Sequence, residues 1–361
     1  MMKSRLHRLA ELGQSVWIDY LSRELIESGA LVRALEEDAV AGVTSNPTIF
    51  EKAISGGDAY DEQLASRLGG SAKSVFLALA MRDVSFACDL LRPVWEKTEG
   101  ADGYVSIEVD PHLADNTQAT IDEAILLHEA IAKPNLLLKI PATDAGVGAI
   151  EEMTARGHSI NVTLVFSLAR HRQVMEAYLS GLERLVDAGG HPNSVHSAAS
   201  FFVSRVDSET DRRLAELGRE DLKGRLGIAN AKLAYQQYKE VFDSERWRKL
   251  AERGATRQRC LWASTSTKNA AYRDTLYVEE LIGRETISTM PEETIRAFQD
   301  HGRVALRLES HLTEAQYLFN ELYAAGVDYN AVVATLEREG IEKFVASFNE
   351  ILDDIAAKRP R

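Results

Sequence analysis

A lysine, two carboxylates, an amide and a hydroxyl interrupt runs of the chain that are otherwise apolar. The lysine is Lys139, in NLLLKI, and the others are Asp19, Glu108, Asn161 and Thr163. Removal from water disfavours the charged form of a lysine, and the neutral amine can attack a ketone to form a Schiff base. Breaking a carbon–carbon bond beside that imine needs a base, which a carboxylate can supply. These residue types therefore indicate Schiff-base chemistry on a keto compound.

The alternation of side chains along a strand predicts that these five side chains share one surface. In each run the polar residue alternates with apolar neighbours, which face the helices of a barrel while the polar residue faces its interior. Alone, each has an ordinary explanation, such as a lysine that reaches solvent or an asparagine that caps a turn. Their joint occurrence in four strands, mostly near the C-terminal ends, favours an active site. The same alternation predicts that Asp110 faces inward and that Leu164 faces the helices.

Eight short apolar runs alternate with amphipathic segments, which predicts a parallel sheet with helical crossovers. The runs cover residues 15–19, 40–45, 103–109, 135–140, 159–166, 195–204, 259–264 and, more weakly, 285–290. Helices are predicted at residues 72–97, 116–132, 145–156 and 168–187. Eight such units favour an α/β fold of the (β/α)8 TIM-barrel type. An open doubly wound sheet is less favoured, because no GxGxxG follows the first run.

The chain of 361 residues is predicted to form a single domain, with additional N- and C-terminal helices around the barrel. We place the barrel at about residues 15–291 and the C-terminal helices at about residues 292–358. Everything after Pro291 has a helical pattern, including residues 291–310, and Asp328 has the character of a helix N-cap. The stretch after the last strand is too short for a fused isomerase domain.

The formal net charge of −13 disfavours nucleic acid and anionic membrane as partners, whereas a small anion needs only a few local cations. No run has the length of a signal peptide's apolar core or of a membrane span, so we expect a cytoplasmic protein. Cys88 and Cys260 are too few for a disulfide framework or a thiolate metal site, and the histidines form no HxH or HExxH pattern. We therefore expect neither a metal nor another cofactor.

Cations and small hydroxyl residues follow the sixth and seventh runs, where barrels often bind phosphate. Arg205 follows SFFVS, and Ser264 and Lys268 lie in ASTSTKN. Arg205 could instead pair with Asp207 or Glu209, and Lys268 could be a solvated residue at a helix start. The spacing therefore leaves phosphate binding and simple surface roles both open.

Six segments together resemble the transaldolase family, and the likeness spans nearly the whole chain. They are GVTSNPTIFEKAI (42–54), VSIEVDP (105–111), NLLLKIPAT (135–143), INVTLVFS (160–167), SFFVSRVD (200–207) and LWASTSTKN (261–269). Their occurrence in this order is far more specific than any single match. The longer bacterial type, with its VEELIG…TMP stretch, is the most similar.

The resemblance implies a role for each candidate residue. Lys139 would form the Schiff base, Asp19 would exchange a proton with the C4 hydroxyl, and Glu108 and Thr163 would hold a catalytic water. The implied substrate-binding residues are Asn46, Asn161 and Ser200 for the ketol part and Arg205, Ser264 and either Lys268 or Ser266 for phosphate. The last choice stays open because shorter relatives carry an arginine in that loop.

The implied reaction transfers dihydroxyacetone from sedoheptulose 7-phosphate to glyceraldehyde 3-phosphate, giving erythrose 4-phosphate and fructose 6-phosphate. The expected partners are thus small sugar phosphates, in a monomer or a homodimer. Two alternatives remain: an aldolase that cleaves fructose 6-phosphate, and a barrel that binds sugar phosphates without catalysis. The presence of Glu108 and of the long C-terminal segment disfavours the first, and the complete set of polar residues disfavours the second.

Overall fold

The computed structural model describes residues 4–66 and 70–358. Eight parallel strands close into a barrel in sequence order, and the last strand pairs with the first. They are β1 (Gln14–Ile18), β2 (Val40–Val43), β3 (Tyr104–Glu108), β4 (Leu136–Pro141), β5 (Ile160–Val165), β6 (Ser197–Phe202), β7 (Gln258–Ala263) and β8 (Thr286–Met290). The predicted (β/α)8 barrel is confirmed, and each predicted run contains the core of one strand.

Helices connect the strands and extend the barrel at both ends of the chain. In the described part of the chain they are α1 (Arg5–Glu11), α2 (Arg23–Glu27), α3 (Ala30–Glu37), α4 (Pro47–Ser55), α5 (Asp61–Ser66), α6 (Ala72–Lys97), α7 (Thr117–Ile131), α8 (Asp144–Ala155), α9 (Leu168–Asp187), α10 (Ser204–Glu216), α11 (Leu226–Phe242), α12 (Glu245–Ala251), α13 (Leu276–Glu280), α14 (Glu292–His301), α15 (Leu312–Ala324) and α16 (Tyr329–Lys358). Within residues 4–66 and 70–358, none of them has the length and apolar character that a bilayer span requires.

Local sequence signals explain where the long helices begin. The side chains of Ser71, Asn116, Thr143 and Ser167 accept hydrogen bonds from backbone amides in the first turns of α6, α7, α8 and α9. Each satisfies one amide that the helix itself leaves unpaired. The four helices therefore start within a residue or two of the predicted positions.

One predicted helix is shorter than expected. The pattern in residues 291–310 predicts helix throughout, but α14 ends at His301 and the following residues are irregular. The amides of Arg307 and Leu308 donate to the carbonyl of Ile282 instead of to a preceding helical turn. This tertiary pairing replaces the helix that the local pattern favoured. Asp328 accepts from the Asn330 amide, as its predicted capping role requires.

Alternating side chains of the strands separate two buried regions. Val16 and Ile18 pack in the layer between strands and helices, whereas Trp17 belongs to the cluster that fills the barrel. Leu164 departs from this alternation, so the prediction that it shares a face with Ile160 and Val162 was wrong. Its φ of 58° and the register shift between Val162 and Val165 place it in the second cluster, where it packs against Gly340 of α16.

The last helix, α16, crosses the C-terminal end of the barrel. It contacts α4, α6 and α10 and also reaches β5. Gly340 allows this close approach, because a Cβ there would lie 3.1 Å from Cδ2 of Leu164. The C-terminal segment is therefore part of the wall around the barrel mouth.

Candidate active site

A cleft of about 520 Å³ opens at the C-terminal ends of the strands. Most of the residues predicted from the sequence line it, namely Asp19, Asn46, Lys139, Thr163, Ser200, Arg205, Ser264, Ser266 and Lys268. Glu108 and Asn161 do not line this cleft but lie directly beside residues that do. The barrel thus gathers the predicted set at one end.

Lys139 is buried near the end of β4. Its Nζ donates to the carbonyl of Ser45 at 2.9 Å and lies 3.3 Å from Oε2 of Glu108. The Lys139 and Glu108 side chains are each 5% exposed. They meet because Glu108 pairs with Lys139 in the register of β3 and β4. A nucleophilic amine and a carboxylate are therefore held together away from bulk solvent.

Burial gives Glu108 proton-exchange properties suited to neutral pH. Loss of solvation raises the pKa of its carboxyl to about 7, against the lowering effects of Lys139 and Arg205. Within the described residues, Glu108 Oε2 and Thr163 Oγ1 are buried without a hydrogen-bond partner. Both lie beside the lysine, since Thr163 pairs with Pro141 of β4. These two oxygens are suited to hold and activate a water molecule.

A pair of threonines positions Asp19, which directly follows β1. Thr44 Oγ1 donates to Asp19 Oδ1 at 2.7 Å and lies 2.7 Å from Thr289 Oγ1. Because the single Thr44 proton goes to the carboxylate, Thr289 must donate to Thr44. The result is a hydrogen-bonded chain from β8 through β2 to Asp19, which fixes a carboxylate at the wall of the cleft.

Asn161 holds neighbouring groups through both the nitrogen and the oxygen of its side-chain amide. Its Nδ2 donates to Ser106 Oγ at 3.0 Å, and its Oδ1 accepts from Ser200 Oγ at 2.8 Å. Asn161 is fully buried, whereas Ser200 reaches the cleft wall. The predicted contact between Asn161 and substrate remains a prediction: one Nδ2 hydrogen is still unused, but the side chain is buried and does not line the cleft.

Asn46 combines a structural contact with a place in the cleft. Its Oδ1 accepts from the amide of Ile49 at 3.1 Å and so caps α4, whose first residue is Pro47. This cap explains the SNP sequence, since proline suits the first helical position. The Nδ2 group is left as the donor that Asn46 can offer to a ligand.

The guanidinium of Arg205 has no ion-pair or hydrogen-bond partner among the residues that the structure describes. Its Nη1 is buried without a partner, and burial lowers the pKa of the group. The alternative pairings do not occur: Glu209 binds Arg212 and Arg213, and Asp207 accepts from the amide of Gly227. An unpaired cation at the cleft wall is available to an anionic ligand.

The loop after β7 completes this side of the cleft. Ser264 has a φ of 57°, and its hydroxyl lies 2.7 Å from Ser204 Oγ. Lys268 is exposed and donates from Nζ to Ser266 Oγ at 2.7 Å. A positive φ in a residue with a side chain is uncommon and often marks a functional site. The loop thus presents hydroxyls and one ammonium group towards Arg205.

Asp110 lies outside this site, so its predicted inward position was wrong. It caps a short helical turn after β3 and pairs with Lys73 Nζ at 2.6 Å. The strand ends at Glu108, and the alternation of side chains does not continue beyond it. Among residues 4–66 and 70–358, no group of three or more His, Cys, Asp or Glu side chains is placed to hold a metal ion.

The sequence interpretation missed three side chains that shape the site. Thr44 and Thr289 face inward, and the period-two pattern in GVTS and ETISTM could have identified them. Phe344 of α16 lies near Arg205, with its ring centroid 5.9 Å from Cζ. No sequence pattern connects these two distant segments.

Comparison with known proteins agrees with this geometry. Residues 16–355 match the family model described as Transaldolase/Fructose-6-phosphate aldolase. A Transaldolase of Mycobacterium tuberculosis (strain ATCC 25618 / H37Rv) is 48% identical over 98% of this chain and 96% of its own length. Transaldolase 2 of Streptomyces avermitilis is 47% identical over 100% of this chain and 98% of its own length. The chain belongs to the transaldolase/fructose-6-phosphate aldolase family.

Proposed function

We propose that this protein is a transaldolase that moves a dihydroxyacetone unit from sedoheptulose 7-phosphate to glyceraldehyde 3-phosphate. The observation that carries the proposal is the buried Lys139 amine, 3.3 Å from Glu108 Oε2 and in one cleft with Asp19. An amine, a carboxylate beside it and a second carboxylate at the wall are what Schiff-base cleavage requires.

The first step joins Lys139 to the donor ketose. Its neutral amine attacks the C2 carbonyl, and the resulting carbinolamine loses water to give an imine. Glu108, with a pKa near 7, can pass protons in both directions at neutral pH through a water held with Thr163. Ser200, at the base of the cleft, supplies a hydroxyl for the ketol end.

The second step breaks the bond between C3 and C4. Asp19 takes the proton of the C4 hydroxyl, the C3–C4 electrons move into the protonated imine, and the aldose leaves as erythrose 4-phosphate. The enamine that remains on Lys139 attacks the aldehyde carbon of glyceraldehyde 3-phosphate, and Asp19 returns its proton to the new alkoxide. Hydrolysis of the imine then releases fructose 6-phosphate and the free amine.

Arg205 and the loop after β7 form the proposed phosphate site. A guanidinium without a protein partner can make charge-assisted hydrogen bonds to phosphate, and the Ser264 hydroxyl lies on the same wall. Lys268 is close to Ser266 and can add a second cation when a ligand is bound. Cytoplasmic location and a monomeric or homodimeric state remain predictions.

Borohydride trapping with fructose 6-phosphate tests the assignment directly. We expect reduction to leave a dihydroxyacetone-derived mass adduct on Lys139 in the wild-type protein and none in Lys139→Met, whose transfer rate should fall by at least ~10⁴-fold. A coupled assay with sedoheptulose 7-phosphate as donor, with and without glyceraldehyde 3-phosphate as acceptor, separates transfer from free aldol cleavage. An adduct-free but folded wild type would favour a binding protein, and equal rates without the acceptor would favour an aldolase.

A further inference from the structure

We propose that α16 supports the phosphate-binding part of the cleft from behind its wall, with Phe344 as the residue that positions the Arg205 guanidinium. The inference rests on the proposed function, since it assigns Arg205 to substrate phosphate. Phe344 does not itself touch the substrate in this proposal.

Two aromatic rings lie beside the arginine. Arg205 Cζ is 5.0 Å from the ring centroid of Phe202 and 5.9 Å from that of Phe344. Both rings are buried, at 7% and 2% exposure. Distances of this size allow attraction between a cation and the face of an aromatic ring. These rings thus contact the guanidinium directly, whereas Asp19 and Glu108 influence it without an ion-pair contact.

The choice of aromatic partners leaves the hydrogen-bonding capacity of Arg205 free. The N–H donors of a guanidinium lie in its plane, and an aromatic ring accepts no conventional hydrogen bond from them that would displace a phosphate oxygen. A carboxylate in direct contact would occupy the donors and repel phosphate. Asp19 and Glu108 act on Arg205 electrostatically but neither is bonded to it, while Asp207 and Glu209 bind other groups.

Phe202 and Phe344 have different origins in the chain. Phe202 ends the strand that precedes Arg205, so it accompanies the arginine in any folded barrel. Phe344 comes from the C-terminal helix and reaches Arg205 only when that helix is docked. Gly340, one turn earlier, packs against Leu164 and fixes the docking position. The geometry of the guanidinium therefore depends on the placement of α16.

The same helix offers a matched control. Phe348 lies one turn beyond Phe344 and is also buried, at 3% exposure. Its ring packs against Phe76 and His112, with centroids 5.3 and 5.7 Å apart. Replacing either phenylalanine by leucine removes one buried ring from α16, but only one of the two changes affects Arg205.

Kinetics with phosphorylated and unphosphorylated donors test the proposal. For Phe344→Leu we expect KM for fructose 6-phosphate to rise by roughly 3- to 30-fold, with kcat nearly unchanged and with kcat/KM for fructose unchanged. Phe348→Leu should leave both KM values near wild type, and Phe344→Tyr, which keeps a ring, should restore the KM for fructose 6-phosphate. Combining Phe344→Leu with Arg205→Ala should add little to the effect of Arg205→Ala alone.

Circular dichroism and thermal unfolding check that each variant is folded, and Phe344→Met replaces the leucine variant if that one is unstable. A folded Phe344→Leu protein with wild-type KM for fructose 6-phosphate would overturn the positioning role. So would an equal loss with fructose, or a matching loss in Phe348→Leu. Failure of the proposed function has a different signature, because the wild-type protein would then form no borohydride-trapped adduct on Lys139.

Discussion

The two ends of the barrel are built from the same strands but differ in how their charged side chains are paired. At the N-terminal end, Arg259 donates to Asp102 Oδ1, to Ser15 Oγ and to the carbonyl of Thr286, at 3.2, 2.6 and 2.8 Å. Asp102 also accepts from Ser15 Oγ and from Trp17 Nε1. Donors and acceptors there pair with one another across the strands.

At the C-terminal end, the pairing of buried groups is incomplete among the described residues. Thr163 Oγ1 and Arg205 Nη1 are buried without a hydrogen bond, and Glu108 Oε2 has only its ion pair with Lys139 Nζ at 3.3 Å. A buried polar atom without a partner costs roughly 1–3 kcal/mol, so this arrangement does not serve stability. A ligand or water that forms hydrogen bonds with these atoms recovers that free energy when it binds.

Cavity size alone would have selected the N-terminal end of the barrel as the candidate site. The cleft at the N-terminal end is the larger, at about 680 Å³, and carries Arg257, Arg259 and Arg284 beside Glu99, Asp102 and Glu285. Its charges balance, and its central network is internally satisfied. In the described part of the chain, Gln14 Oε1 and Gln258 Oε1 at this end are also buried without a hydrogen bond, so the clearest difference is the unpaired Arg205 cation beside the Lys139–Glu108 pair at the C-terminal end.

The largest contrast is expected for Glu108→Gln at the C-terminal end. The amide cannot exchange a proton, so kcat should fall by about 10²- to 10³-fold while the fold is retained. Steady-state rates from pH 5 to 9 provide the measurement. In the wild type, the pKa near 7 means that the carboxylate form prevails above that pH, so kcat should drop as the pH falls below it.

The drop in kcat below about pH 7, the acidic limb of the pH profile, should be absent in Glu108→Gln, because the variant lacks the titrating carboxyl group. Persistence of the same limb in the variant would assign it to another residue. A rate close to that of the wild type would remove Glu108 from the proton pathway altogether.

A change at the N-terminal end should affect stability and not catalysis. Asp102→Ala leaves Arg259 without its charge partner, and these side chains are only 14% and 19% exposed. We expect the free energy of unfolding to fall by roughly 2–3 kcal/mol, measured by urea denaturation, with unchanged kcat per folded molecule.

The exposed pair between Lys133 and Asp89 serves as the control for this change, since Asp89 is 57% exposed. Asp89→Ala should alter the free energy of unfolding by less than about 0.5 kcal/mol. If Asp102→Ala were as mild as the control, the network would not hold the barrel end together. A loss of kcat in Asp102→Ala without a loss of stability would instead show that the two ends of the barrel are energetically coupled.

The smallest effect is expected where a residue acts only through its neighbour. Thr289→Val keeps the shape of the side chain but removes the hydroxyl that donates to Thr44, and one hydrogen bond contributes about 1 kcal/mol. We expect kcat to fall by about fivefold, with Thr289→Ser close to wild type. Equal rates in the valine and serine variants would show that Asp19 needs no support from β8.

Much of the site could be predicted because its signals are local. Lys139 was assigned from an alternation within six residues, which backbone geometry imposes on every strand. The starts of α6 and α9 were predicted from the amphipathic pattern, and the structure shows that Ser71 and Ser167 cap them. The positions of Arg205 and Ser264 followed from the rule that parallel strands end at one face.

The predictions were wrong where a long-range contact overrode the local sequence pattern. Asp110 continued the alternation of β3 in sequence, but the strand ends before it and Lys73 of α6 captures its carboxylate. Leu164 was reversed by a bulge at the place where α16 packs against β5. The helix predicted to reach residue 310 stopped early because its backbone pairs with Ile282.

By itself, then, the amino-acid sequence determined the order of strands and helices, the inward position of the polar residues on four strands and the candidate nucleophile, Lys139. These properties depend on backbone periodicity and on residues close together in the chain. Only the tertiary structure decided that Thr289 supports Asp19, that Asn161 binds Ser106 and Ser200, and that Phe344 lies against Arg205. Such contacts join segments far apart in the chain, and they exist only after the barrel has closed and α16 has packed across its mouth.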